Sequence, residues 1–313
     1  MSLLKSLHQR GVLGMNRRNV EFTQRENPRR LYPLVDDKLK TKRICERAGI
    51  TISPVLGRAE FHHDVKRLVS DLRGRGDFVL KPASGAMGNG VLVICDPTEE
   101  GWRSSGGRLI YPDDLAYHAE SIISGLYALG GRPDVAFVEE RLVIHPDFGP
   151  IAHDGVPDVR YVIFRGVPVM SMTRLPTSRS GGRANLHQGG VGAGVDLRTG
   201  RTNFAVMHSS PVTKHPDTGE SVIDVKLPLF EEGLRTSVRA TDETGLGYVG
   251  ADIVVDANRG AVLLELNARP GLAIQLANRA GLLPRLRAIR AANLVGLDLE
   301  ERIELGRKIA EAS

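Results

Sequence analysis

A chain of 313 residues that is 41% hydrophobic and 25% charged can bury a sizeable core, which excludes a disordered or low-complexity protein. With only Cys45 and Cys95 it is no disulfide scaffold, and no run of about 18 apolar residues is present to span a membrane. The net charge of +5 is mild but falls heavily on the first fifty residues, from Arg10, Arg17 and Arg18 to Arg43 and Arg47. That run reads equally as an anion-facing surface or a solvated face, and no nucleic-acid-binding pattern accompanies it, so nucleic acid is not an expected partner.

In chain order, residues 1 to about 35 read as a polar, basic, irregular segment. The start, MSLLKSLHQRGVLGMN, has too short an apolar run for a signal peptide, and a cytoplasmic location is expected. DDKLKTKRICERAGI has helical spacing with Gly49 as its stop. TISPVLG reads as a short strand and FHHDVKRLVSDLRGRG as a second amphipathic helix. Adjacent on that helix, His62 and His63 cannot face one metal. DFVLKP is a buried strand, ASGAMGNG a glycine loop and GVLVICD another strand. PDDLAYHAESIISGLYALGG is a third helix with Asp113 or Asp114 as its cap, followed by the strand DVAFVEERLV. Both cysteines read as small core residues.

Beyond residue 158, DVRYVIFRGVPVMSMTRL predicts two strands turning at Arg165 and Gly166. A polar, glycine-rich stretch, SRSGGRANLHQGGVGAG, comes next, then a helix over LPLFEEGLRTSVRATDETG. GYVGADIVVD and AVLLELNARP form a hairpin around Asn258 to Gly260, and apolar helical stretches end in LEERIELGRKIAEAS. Helices with mostly antiparallel strands predict an α+β fold with segregated layers.

Three constellations could carry chemistry. Lys81 closes an apolar strand, and Gly85, Gly88 and Gly90 follow, so backbone N–H groups can face a phosphate without an intervening Cβ. A strand rather than a helix succeeds the loop, which excludes the Walker A and dinucleotide fingerprints; an ordinary hairpin loop is the alternative. In the later hairpin, Glu265 and Asn267 share a face and Asp252 can meet them from the partner strand. Two carboxylates and an amide oxygen are hard ligands suited to magnesium, and acidic positions among Ile253, Val254, Leu263 and Leu264 are costly without a purpose. Asp158 and Arg160, with Arg183, Asn185 and His187, form the third group: arginine holds phosphate or carboxylate by paired hydrogen bonds, and a glycine-rich loop between strands suits an active site. Each of these alone could equally be a surface ion pair or a turn residue.

In this order the motifs resemble the ATP-grasp superfamily, and within it the RimK-type alpha-L-glutamate ligases. The resemblance runs through DFVLKPASGAMGNGV, FVEERLV, DVRYVIF, RANLHQGG and GADIVVD…LLELNARPG, over roughly residues 36 to 285. It implies two α+β subdomains clasping ATP: a nucleotide lid at about 78–145 and a metal-binding core at 146–290, within a grasp domain of 36–290, with a C-terminal helix at 291–313. It implies that Lys81, Ser84, Gly85, Gly88, Gly90, the hinge residues Glu139, Glu140, Arg141 and Leu142, and also Lys40 and Asp158, contact the nucleotide. Asp252, Glu265 and Asn267 would hold Mg2+, or Mn2+ in its place, and Arg160, Arg183 and Asn185 would serve catalysis. The implied reaction is ADP-forming amide synthesis through an acyl phosphate, joining a small-molecule or peptide carboxylate to an amino acid such as glutamate. An ATP-grasp phosphotransferase and a non-catalytic nucleotide-binding subunit are the alternatives. Such ligases usually carry a substantial N-terminal domain where a basic segment of about 35 residues stands here, and often a small residue where this chain has Arg269. The last helix could pack on the core or on a second copy, which keeps a homo-oligomer open.

Overall fold

The computed structural model describes residues 10–85, 88–128 and 130–313, which divide into two compact units. One takes the described residues up to Asp36, then Lys40–Ile52 and Val143–Ser313; the other takes Asp37–Leu39 and Ser53–Leu142. No helix among the described residues is long and apolar enough to cross a membrane.

The smaller unit is built on a six-stranded antiparallel sheet in the order β1-β6-β2-β3-β4-β5. Its strands are β1 (Val55–Ala59), β2 (Phe78–Pro82), β3 (Leu92–Pro97), β4 (Trp102–Ser104), β5 (Leu109–Ile110) and β6 (Ala136–Glu140). The helices His62–Asp71 and Pro112–Ile123 bury Val65, Leu68, Leu115 and Ile122 against Phe78, Leu80, Ile94 and Val138. Each such side chain contributes about 1.5–3 kcal/mol of transfer free energy. Because successive side chains alternate, the residues next to these apolar positions, Lys81 after Leu80 on β2 and Phe137 and Glu139 on either side of Val138 on β6, face the other way. Asp114 supports the second helix as expected, but as the acceptor for the Tyr111 amide at 3.0 Å, with Tyr111 itself in the capping position.

The larger unit holds a seven-stranded antiparallel sheet in the order β11-β10-β9-β8-β7-β12-β13. Its strands are β7 (Asp158–Phe164), β8 (Val167–Leu175), β9 (Val191–Val195), β10 (Thr202–Met207), β11 (Ser210–Val212), β12 (Tyr248–Asp256) and β13 (Gly260–Asn267). On one face the helix Phe230–Asp242 buries Leu234 and Val238 against Tyr161, Ile163 and Ile253. On the other, Leu286 and Ile289 of the helix Leu282–Ala291 pack with Val162, Phe164 and Tyr248. The turn at Arg165 and Gly166 has positive φ at both residues, 50° and 74°, which matches the twist of a two-residue hairpin.

Three readings of the sequence need correction. Where described, the N-terminal segment is not irregular: Met15–Arg17, Arg18–Thr23 and Gln24–Glu26 are helical, the middle stretch with the wider π turn, and Leu13 and Phe22 enter the core. The stretch containing GGVGAG, read as loop, holds β9, and β10 and β11 follow it; β4 and β5 were also not anticipated. Cys45 is buried, its thiol pushed up to about 11 by loss of solvent, whereas Cys95 is only half-buried.

Candidate active site

In the smaller unit the Lys81 ammonium pairs with Glu139, both buried, and lies 5.4 Å from the Phe137 ring centroid. The glycine loop after it is anchored at both ends. The Ser84 amide donates to the Asp134 carboxylate at 2.9 and 3.1 Å, and Lys38 Nζ donates to the Gly85 carbonyl at 2.5 Å. On the far side His118 Nε2 donates to the Gly90 carbonyl at 2.9 Å. Gly88 and Gly90 have φ of 72° and 75°, so glycine is the residue that fits. Ala86 and Met87 lie outside the described residues. Of the hinge positions, the Glu140 amide donates to the Pro54 carbonyl at 3.1 Å, Arg141 pairs with Asp77 at 2.8 Å and Leu142 is buried.

In the larger unit the hairpin pairs Asp252 directly with Glu265, and Gly250 with Asn267. The register slips between Asp252 and Ile253, leaving Leu264 as an extra residue. The bulge turns Glu265 away from the face that holds Leu263 and Leu266, although Leu263 stands two residues before it. Asn267 Nδ2 lies 3.1 Å from Glu265 Oε1, and both side chains are half-buried.

Beside them sits a buried ionic cluster. Arg160 holds Asp252 through Nε and Nη2 at 2.7 and 2.6 Å. Arg174 holds Asp158 through the same two nitrogens at 2.7 and 2.5 Å, and its Nη2 also reaches Asp252 at 2.7 Å. Burial alone would raise the Asp252 carboxyl, but Arg160 and Arg174 hold it well below the usual carboxylate range. For Asp158 burial prevails over Arg174, and with the Asp252 charge nearby it is pushed up to about 6. Two arginines balance two aspartates, so the cluster is close to neutral at pH 7.

The fit to a hard divalent cation is uneven across the three residues. Glu265 and the Asn267 amide offer accessible oxygens, the amide after a half-turn that exchanges its N and O. Asp252 already accepts three guanidinium N–H bonds, which leaves about one of its four lone-pair sites. Among the described residues no group of three His, Cys, Asp or Glu is placed to hold a metal, so the set rests on two carboxylates and an amide. Arg183 is exposed on the loop after β8, and Asn185 there accepts the His187 amide at 3.0 Å, capping a short turn. Lys40 is exposed on the Lys38–Arg47 helix.

Residues 17–291 match the family described as sugar-transfer associated ATP-grasp. The chain belongs to that family. Its two antiparallel sheets with their helices are the ATP-grasp fold. Among solved structures, biotin carboxylase from Campylobacter jejuni is similar at 17% identity and a TM-score of 0.48, covering 90% of this chain and 47% of that one. D-alanine–D-alanine ligase from Bacillus anthracis, solved with ATP, gives 15% and 0.44, covering 90% and 68%. The ATP-grasp ligase PsnB, solved with its precursor peptide PsnA2 and AMPPNP, gives 17% and 0.42, covering 85% and 60%. The chain thus spans less than two thirds of the PsnB and biotin carboxylase chains. No curated protein matches.

Several residues bonded to these candidate positions within each unit were not anticipated: Arg174 in the larger, and Asp134, His118 and Lys38 in the smaller. Arg174 carried a signal, because it pairs with Asp158 across the β7–β8 hairpin. A second bulge, between Val162 and Ile163, shifts that register, so counting outward from the Arg165–Gly166 turn misses the pair by one residue.

Proposed function

We propose that this ATP-grasp chain is an ATP- and magnesium-dependent carboxylate–amine ligase. The reaction moves the γ-phosphoryl group of ATP to a carboxylate oxygen, releasing ADP; an amine then attacks the acyl phosphate, the amide bond forms and phosphate leaves. The observation that carries this reading is the bulged hairpin that sets Glu265 and Asn267 together beside Asp252. Magnesium, or manganese in its place, would be held by Glu265, Asn267 and the remaining site of Asp252, and when bound would neutralise charge on the transferring phosphate. Arg160 keeps its Nη1 without a hydrogen-bond partner among the described residues, so it can serve Asp252 and an anionic group at once. Arg183, exposed, would meet the acceptor carboxylate, with Asn185 shaping its loop. Lys81, with Ser84, Gly85, Gly88 and Gly90, would line the nucleotide phosphates, the hinge from Glu139 to Leu142 the adenine, and Lys40 would add a basic group there.

The likeness to RimK-type ligases suggests glutamate or another amino acid as the amine. The family description, sugar-transfer associated, makes a sugar-borne acceptor worth testing beside amino acids. The test is to incubate the protein with ATP and Mg2+ against a panel of amino acids, uronic acids and amino sugars and to search for a new amide by mass spectrometry. An amide with one ADP per bond is expected; phosphorylated product without an amide would instead identify a phosphotransferase. Glu265→Gln should lower turnover at least a hundredfold with the far-UV spectrum unchanged, and wild-type turnover in that variant would remove the metal assignment.

A further inference from the structure

The N-terminal segment, basic in composition, does something more specific than present charge. Its side chains reach the backbone just where the β13 strand leaves Asn267. Asn27 is buried, and its carboxamide accepts the Tyr248 amide at 2.9 Å and donates to the Tyr248 carbonyl at 2.7 Å, pairing with β12 as a neighbouring strand would. Its second N–H donates to the Ala268 carbonyl at 3.0 Å. Arg18, also buried, donates through Nη1 to the Pro270 carbonyl at 2.9 Å and to the Arg269 carbonyl at 3.4 Å. The three consecutive carbonyls after Asn267 are therefore all held by this one segment.

The segment is itself fixed. The Leu13 amide and carbonyl both bond the Gln275 side chain, at 2.8 and 3.1 Å. Phe22 is buried under the Arg290 guanidinium, 4.6 Å from its ring centroid. The wide π turn over Arg18–Thr23 lets Arg18, Phe22 and Thr23 all point inward, a use typical of π segments at functional sites. Pro270, whose carbonyl Arg18 holds, packs over Gly250, where a Cβ would come within 2.8 Å of the proline Cβ. Gly250 is the pairing partner of Asn267, so the exit is held from above and from the side.

We infer that Arg18 and Asn27 are positioning residues for the Glu265–Asn267 pair, fixing the strand end from which a divalent cation is held. The inference rests on the metal reading above. Groups that orient ligands from behind typically alter metal affinity ten- to a hundredfold when removed. Both donate to backbone carbonyls at the strand end, so their loss is expected to act on metal affinity rather than on turnover at saturating metal.

The probe is Mn2+ alone, its binding followed by electron paramagnetic resonance, with amide hydrogen exchange across residues 264–272 as a readout independent of metal. Arg18→Met is expected to weaken Mn2+ binding about tenfold or more and to speed exchange across the strand exit. Arg18→Lys, which keeps one donor, should recover part of both. Arg165→Met is the control: it removes a surface pair between Arg165 and Glu26, of the same segment, without touching residues 268–270. It should bind Mn2+ within about twofold of wild type if the effect is specific to the strand exit. If Arg18→Met does not fold, Asn27→Ser and Arg18→Lys carry the same comparison. Wild-type Mn2+ affinity in the Arg18 and Asn27 variants, with binding lost in Glu265→Gln, would overturn the inference and spare the metal reading. Wild-type affinity in Glu265→Gln would overturn both.

Discussion

The ionic cluster shows what a single unanticipated residue can do. Among the described residues Arg174 is the one cation that hydrogen-bonds both Asp158 and Asp252, so its removal leaves two buried carboxylates with one guanidinium between them. Arg174→Met should cost about 3–5 kcal/mol in urea denaturation, whereas Arg174→Lys keeps the charge and should cost less. The two aspartates make opposite contributions to pH dependence. Asp252 is held below its unfolded value, so its stabilisation is present above about pH 4 and is lost as pH falls through its lower folded value. Asp158 is raised from 3.8 to about 6, so the folded form keeps its proton longer and stability declines as pH climbs through that interval. In denaturation measured across that range, wild type should lose stability with rising pH and Asp158→Asn should stay flatter. An equal slope in the two proteins would place Asp158 in its ordinary range.

At the level of elements, alternation and turn signals made one candidate feature legible in each unit: the β2 lysine with its glycine loop in the smaller, and the hairpin with its acidic pair in the larger. Two features escaped for the same reason. A bulge adds a residue that no period-of-two count reveals, and both the Asp158–Arg174 pairing and the facing of Glu265 depend on one. β9, with sequence VGAGV, resembled a loop because its glycines serve contact rather than conformation. A Cβ on Gly192 would lie 2.5 Å from Leu186, and one on Gly194 would lie 2.4 Å from the Ala277 carbonyl. The N-terminal helix escaped because its one buried arginine bonds backbone carbonyls, which composition cannot report. The glycine loop of the smaller unit gives its own prediction. Gly90 combines a φ of 75° with a Cβ position 2.6 Å from the Tyr127 ring. Gly90→Ala should destabilise that loop by about 1–3 kcal/mol, read as faster amide exchange around residues 84–92 and weaker binding of a fluorescent ATP analogue. Unchanged exchange would mean that the His118 anchor does not define the loop.

On the scale of the whole molecule, the last helix, Leu299–Glu311, is bound to the larger unit itself. Ile303 is buried, and Arg302 and Arg307 reach Asp242 and Glu231 at 2.7 and 2.6 Å. Gly306 lies so close to β8 that a Cβ there would stand 2.4 Å from the Pro168 carbonyl, a backbone atom that cannot swing aside. Gly306→Val must therefore lift the helix from the strand, at a cost of about 1–3 kcal/mol for overpacking and more if Ile303 leaves its seat. The smaller unit has a separate apolar cluster on its own sheet, with Phe78 and Leu80 at its centre. Strain introduced at Gly306 should then speed amide exchange in β8 and in the final helix, while β2 and β6 keep their protection. Exchange mapped by mass spectrometry on the intact chain separates the outcomes. Equal loss of protection in both sheets would mean that the two units unfold as one, despite their separate cores.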